Sequence, residues 1–381
     1  MKKLRILSLV LLILIMTFQA ACGKNEARNG SITPEPSPSV LPGDEITQQP
    51  EPTEVPEATS PTEKPAENRE PVDYSVIQPN EAGEIPIVMF HNFIEDLSTT
   101  KDNAYTTSFS EFEKLLETLY NEGYRLISMR DFIDNNISVP AGTKPMVFTF
   151  DDGTPGQFSL IEENGKLVVN PKSAVGIMIK FNEKHPDFGL KGIFYLYLSS
   201  GDKIFEGAGT LKERLEVLLS YGFEIGSHTW DHFDFTTAQN IQQINEALGK
   251  NEKRIREIIE GTGFYSLALP YGSRPSENLR KALVSGEFEG VKYYNETIMA
   301  VGSQPAKPSV HVDYDPTYVA RIRAQGKVQE PYDLTFWLPK MTNDRMYISD
   351  GDPNTVVVPE GMEDKVNKEK LNGKTLITYR K

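Results

Sequence analysis

Two pairs of residues in this chain have the types and the spacing for hydrolytic chemistry. Asp151 and Asp152 are adjacent and followed by Gly153, and His228 and His232 stand four apart in His228-Thr229-Trp230-Asp231-His232. Neighbouring carboxylates repel, which is costly unless a cation or a proton separates them. Taken alone, an Asp-Asp-Gly segment reads equally well as an ordinary turn. The histidines offer neutral ring nitrogens to a metal. Two surface histidines are the plainer alternative, weakened because the whole chain has only 5. A third segment, Pro270-Tyr271-Gly272, is a tight turn able to bring backbone N–H groups to a rim. By itself it would mean nothing.

The elements that must position these residues alternate between strand and helix. Residues 85–90 and 146–150 are short continuous apolar runs of the kind found in buried parallel strands. Residues 109–122 carry Phe112, Leu115, Leu116 and Leu119 at helical spacing and close on Gly123. Residues 158–170 read as a hairpin turning at Asn164-Gly165. Helices are expected at 174–184, 211–221, 241–260 and 277–285, and strands at 192–198, 223–227 and 266–269 and near Val291 and Val310. Such alternation implies an α/β fold with a parallel sheet and helices outside it, open or closed into a barrel. In a closed barrel, catalytic residues stand at the C-terminal ends of strands. Asp151 and Asp152, His228 and Pro270-Tyr271 all fall there. A further strand pair is expected at 355–359 and 375–379.

In this order, the three segments resemble the polysaccharide deacetylase family (family-4 carbohydrate esterases, the NodB homology domain). The family's Thr-Phe-Asp-Asp-Gly motif stands here as Thr149 to Gly153, and its His-Ser/Thr-x-x-His motif as His228 to His232. The resemblance covers roughly residues 85–323. It implies a distorted (β/α) barrel with one divalent metal, usually zinc, with cobalt, nickel or manganese as alternatives. Carried across, Asp152, His228 and His232 are the metal ligands and Asp151 is the general base. The backbone N–H of Tyr271 completes an oxyanion hole. Three protein ligands leave an open position where a water can be acidified towards about 7. The family's third motif usually opens with an arginine that orients the base, and that position is Ala268 here; Arg274 or Arg321 is the possible replacement. No late Leu-x-His motif supplies the acid. One branch of the family, including deacetylases of poly-β-1,6-N-acetylglucosamine, is permuted and places that histidine after the first strand. His91 stands there and is the expected acid, with His311 second; His185 reads as plain surface. Trp230 is a candidate sugar-stacking surface, and Trp337 is assigned to the core.

The start of the chain reads as an address. A basic Met1-Lys2-Lys3-Leu4-Arg5 precedes an apolar run from Ile6 to Phe18, too short to span a bilayer comfortably. Cys22 follows Ala20-Ala21 and is the single cysteine, which excludes a disulfide framework and a cysteine-built zinc finger. Residues 1–22 therefore resemble a bacterial lipoprotein signal with Cys22 lipidated, anchoring the protein to the outer face of the cytoplasmic membrane. Plain secretion is the alternative. Residues 23–84 hold 11 of the 26 prolines and a net charge of -9, and read as an extended, solvated tether. The catalytic domain is expected at 85–345 and a C-terminal extension at 346–381. Residues 85–381 carry a net -8, which argues against a nucleic-acid partner; no protein partner is implied. The leading reading is a metal-dependent hydrolase that removes acetyl groups from N-acetylglucosamine-type units of a polysaccharide or peptidoglycan. Its rivals are an O-acetyl esterase acting on xylan-like polysaccharide and a non-catalytic glycan-binding lipoprotein.

Overall fold

The computed structural model describes residues 72–381. The signal segment, Cys22 and the tether up to residue 71 lie outside the described residues. Eight parallel strands form the central sheet: β1 (Ile87–Phe90), β2 (Tyr124–Leu126), β3 (Lys144–Asp151), β4 (Ile193–Leu196), β5 (Glu224–Ser227), β6 (Ser266–Ala268), β7 (Thr297–Met299) and β8 (Ile322–Arg323). Their order is β7-β6-β5-β4-β3-β1-β8, with β2 paired to the start of β3. The sheet curls into an incomplete (β/α) barrel. Its two ends approach where Met299 bridges Val319, just before β8.

Strand alternation sorts the side chains into two layers. Ile87, Val147, Ile193, Tyr195, Ala268 and Met299 form a cluster on one face of the curled sheet. Val88, Phe90, Met146, Phe148, Phe150 and Phe194 belong to a second cluster that includes helical side chains. On β3 this gives a simple count: Met146, Phe148 and Phe150 face the helices, so Val147, Thr149 and Asp151 face the lumen. The first covering helix, α1 (Phe109–Asn121), starts with a capping box between Ser108 and Glu111 and buries Phe112, Leu116 and Leu119. The longest, α2 (Ile241–Ile258), reaches inward with the buried Asn251. That side chain's amide donates to the Leu196 carbonyl (2.8 Å) and the Ser227 hydroxyl (3.1 Å), joining the ends of β4 and β5.

The expected elements recur with a few differences. The hairpin is present as Leu160–Glu163 against Lys166–Val169, with Asn164 and Gly165 both at positive φ as a two-residue turn demands. The helix expected at 277–285 is broken into a short 3-10 turn and Lys281–Val284. The strand near Val291 is part of an antiparallel hairpin with Ser285–Phe288, outside the barrel. No strand forms at Val310; β7 and β8, each too short to leave a periodic signature, complete the sheet instead.

The domain limits also differ from the composition-based ones. Residues 72–84, assigned to the tether, belong to the fold. Asn80 bridges Ile348, and the buried Glu81 carboxylate accepts from the backbone N–H of Val357 (2.8 Å) and Asp350 (3.2 Å). The Tyr379 hydroxyl donates to the Pro79 carbonyl at 3.0 Å. Residues 346–381 are likewise no appendage. Met346 joins the main core, and the parallel pair Thr355–Pro359 with Thr375–Tyr379 packs over the incoming N-terminal segment. Proline and glutamate content cannot reveal this, because the partners lie more than 250 residues away.

Candidate active site

Four strand ends converge on a cavity of about 350 Å3. His91 follows β1, Asp151 ends β3 and is followed by Asp152, His228 follows β5, and Tyr271 lies just past β6. Successive residues of a strand point to opposite faces, so Asp151 and Asp152 would normally diverge. Asp152 instead takes a φ of 81° while its N–H donates to the Tyr195 carbonyl at 3.0 Å. That left-handed turn lets both carboxylates line the same cavity. Thr229, His232 and Tyr271 also have positive φ. Strained backbone of this kind clusters at functional sites.

Asp152, His228 and His232 each offer one ligand atom, all within 4.8 Å of one another. Asp152 Oδ1 lies 3.5 Å from His228 Nε2 and 3.6 Å from His232 Nε2. His228 Nδ1 meets the Ala268 carbonyl at 2.9 Å. A carbonyl only accepts, so Nδ1 carries the proton and Nε2 presents its lone pair. Asp152 Oδ1 and His228 Nε2 are both buried without a hydrogen-bond partner. Orphaned buried acceptors are costly unless something binds them. A carboxylate and two neutral imidazole nitrogens suit a divalent cation, zinc in particular.

Asp151 is held differently. Its Oδ1 and Oδ2 accept from Arg321 Nη1 and Nη2 at 2.7 and 2.8 Å, a bidentate pair with both partners almost fully buried. Arg321 is itself fixed by the Ala300 carbonyl (2.8 Å) and the Thr149 hydroxyl (3.1 Å). Burial alone would raise the Asp151 carboxyl; the charge and hydrogen bonds of Arg321 overcome it and hold the group at about 2. Burial, then repulsion from Asp151, pushes Asp152 up to about 7, a shift that a bound cation would reverse. Burial lowers His228 to about 3 and also lowers His232, so both rings are neutral and free to offer a lone pair to a metal. His91 Nε2 stands 3.8 Å from Asp151 Oδ2, and burial brings this ring down to about 4. The Gln157 amide donates to the His91 carbonyl at 2.6 Å and to the Asp151 carbonyl, tying the ends of β1 and β3 together.

Of the residues singled out in the sequence, Asp151, Asp152, His228, His232, His91 and Tyr271 all line this one cavity. Trp230 does not; it packs half-buried against the core, and its backbone N–H donates to the Ala247 carbonyl. His311 does not either. It is buried elsewhere, with Nδ1 accepting from the Asp313 N–H at 3.0 Å. Arg274 lies over the Tyr318 ring, so Arg321 is the guanidinium that meets the base. Where an arginine was expected, Ala268 supplies a lumen methyl and the carbonyl that orients His228. Trp337 is core, as expected, and donates to the Ser303 carbonyl at 2.8 Å. His185 is half-buried against Tyr120 and not plain surface. Tyr105 and Asp102, which also line the cavity, were not anticipated. For Arg321 a signal existed: a charged residue inside the apolar run Tyr318-Val319-Ala320-Arg321-Ile322 needs a buried partner.

Fold and site together define a (β/α)-barrel protein with a candidate metal centre and a separately held carboxylate at the C-terminal mouth of its sheet. The sequence model of the polysaccharide deacetylase family matches residues 187–290, so this segment is similar to that family. His228, His232 and Tyr271 fall inside the matched segment; His91, Asp151 and Asp152 precede it and Arg321 follows it. No curated protein matches the chain. Among solved structures, a polysaccharide deacetylase from Bacillus cereus is similar over 68% of this chain and 69% of its own, at 18% identity and a TM-score of 0.49. The Streptococcus pyogenes deacetylase PplD, in complex with acetate, is similar over 66% and 96%, at 18% identity and 0.47. IcaB from Ammonifex degensii is similar over 65% and 94%, at 17% identity and 0.45.

Proposed function

We propose that this protein is a metal-dependent N-deacetylase acting on N-acetylglucosamine-type units of a surface polysaccharide or peptidoglycan. The observation that carries the reading is an ionised, arginine-held Asp151 beside the converging triad Asp152, His228 and His232. A glycan-binding lipoprotein has no use for a buried base of this kind.

A divalent cation at the triad supplies Lewis acidity, which acidifies a water and polarises the acetyl carbonyl. Asp151, locked by Arg321, accepts one proton from the attacking water as the new C–O bond forms. The backbone N–H of Tyr271, by resemblance, donates to the oxygen that gains charge, a contact of a type worth about 3 kcal/mol. The proton taken up by Asp151 passes to His91, which is neutral at rest, and from His91 to the amine nitrogen as the C–N bond breaks. Acetic acid leaves and ionises in solvent, and Asp151 and His91 are back in their starting states. The Ala268 carbonyl keeps the His228 tautomer fixed throughout, and Gln157 keeps His91 and Asp151 in register.

Acetate release by the purified protein, measured on N-acetylated glucosamine oligomers and on acetylated xylan, tests the substrate class. Release from the first set supports N-deacetylation; release from xylan alone transfers the reading to an O-acetyl esterase. Metal analysis of the same preparation tests the centre, and a metal-free, inactive protein counts against it. The proposal includes export and anchoring through a lipidated Cys22 to the outer face of the cytoplasmic membrane, with the proline-rich segment as tether. Palmitate labelling of cells producing the protein should disappear in Cys22→Ala; retained label counts against the anchor.

A further inference from the structure

Resting on that reading, we infer that Tyr105, which lines the cavity where Trp230 does not, is the residue on which the sugar ring of the substrate stacks. The argument starts from which side of the scissile bond each group must occupy. The acetyl group lies against the triad, and the amine nitrogen stays attached to the sugar. The group that protonates this nitrogen therefore faces the sugar side. His91 is that group, and the Tyr105 ring adjoins it, with centroids 4.7 Å apart. Tyr271, by contrast, packs edge-on against His232 at 4.4 Å and borders the acetyl side.

Tyr105 is also built to stay in place. Its N–H donates to the Asp102 carboxylate (3.1 Å), which also accepts from the Ala104 N–H and the Thr106 hydroxyl. Its carbonyl accepts from the Asn92 N–H at 2.9 Å, one residue beyond His91. The Arg323 guanidinium lies 5.4 Å from the ring centroid. The segment carrying Tyr105 is further tied to the chain after β8, through Thr107 to the Gln325 carbonyl and the Val328 N–H to the Asn103 carbonyl. Yet 37% of Tyr105 is still open at the cavity mouth. A rigid, partly exposed aromatic ring beside His91 at the cavity mouth is suited to the apolar face of a pyranose.

The test compares wild type, Tyr105→Ala and Tyr105→Phe on an N-acetylglucosamine oligomer and on p-nitrophenyl acetate, which has no sugar ring. Stacking predicts that Tyr105→Ala raises KM for the oligomer about tenfold, in line with the energy of an aromatic face contact. The accompanying loss on the aryl ester should be much smaller, and Tyr105→Phe should restore the oligomer KM. Binding of the oligomer to Asp151→Asn and to Asp151→Asn/Tyr105→Ala, followed by calorimetry, should show the same ratio in Kd. An unchanged oligomer KM, or equal losses on both substrates, overturns the assignment of Tyr105. If wild type releases no acetate from the oligomer, the functional reading itself fails, and the platform with it.

Discussion

Asp151 and Glu81, two of the buried carboxylates among the described residues, are held in opposite ways. Asp151, at the catalytic mouth, is gripped by a guanidinium that shares its burial. Glu81, under the C-terminal strand pair, is held by the backbone N–H groups of Val357 and Asp350. Burial is similar, but the outcome differs. The charge of Arg321 keeps Asp151 at about 2, whereas burial and then the neighbouring charge of Asp350 push Glu81 up to about 8 against the pull of its amide donors. Neutral donors satisfy a carboxylate geometrically without offsetting the cost of its charge. The first arrangement keeps an anion ready beside the cavity. The second ties residues 80–85 to the C-terminal segment.

The largest test of this contrast removes the catalytic anion. Asp151→Asn should lower acetate release by at least about a thousandfold, within the span attributed to general bases, while the bound metal stays. His228→Ala should lose metal and activity together. An Asp151→Asn protein with wild-type turnover would remove that residue from its role.

Next comes the partner. Arg321→Met leaves a buried, unpaired carboxylate and should cost about 3–5 kcal/mol in denaturant unfolding. Without the guanidinium, burial raises the Asp151 pKa. The acidic limb of the pH–rate profile should therefore move to higher pH, and an unmoved limb would show that Arg321 does not set the charge of the base.

The smallest effect concerns pH and stability, where the two acids have opposite signs. Asp151 has a folded pKa below its unfolded value of about 3.8. Its contribution is present above that value and fades as pH falls towards about 2. Glu81 has a folded pKa above its unfolded value of about 4.5. Its contribution is present below 4.5 and is lost as pH rises through about 8. Urea unfolding at pH 6 and pH 8.5 should show the protein weakening at the higher pH. Glu81→Gln should flatten that slope, whatever offset it adds to absolute stability. A slope that survives the substitution would assign the titration to another group.

Much of the site was legible before any fold was known, because its residues come in local runs. Asp151-Asp152-Gly153 and His228 to His232 are contiguous, and each sits directly after a readable apolar strand. His91 was found the same way. Arg321, Tyr105 and Gln157 were harder, since each meets its partner across the barrel mouth and none belongs to a motif. Trp230 misled for a related reason: lying between two histidines in sequence does not decide on which side of the backbone a side chain emerges.

By itself, the sequence determined the alternation of strand and helix, the chemical types at the strand ends, and the family resemblance, since all three are properties of short windows. The tertiary structure alone decided which cation meets Asp151, a partner 170 residues away. It also decided which aromatic ring borders His91, and that the segment before β1 is folded against the C terminus. These are outcomes of closing a curled sheet, which brings a strand start, a loop and a distant tail to positions that no local pattern encodes.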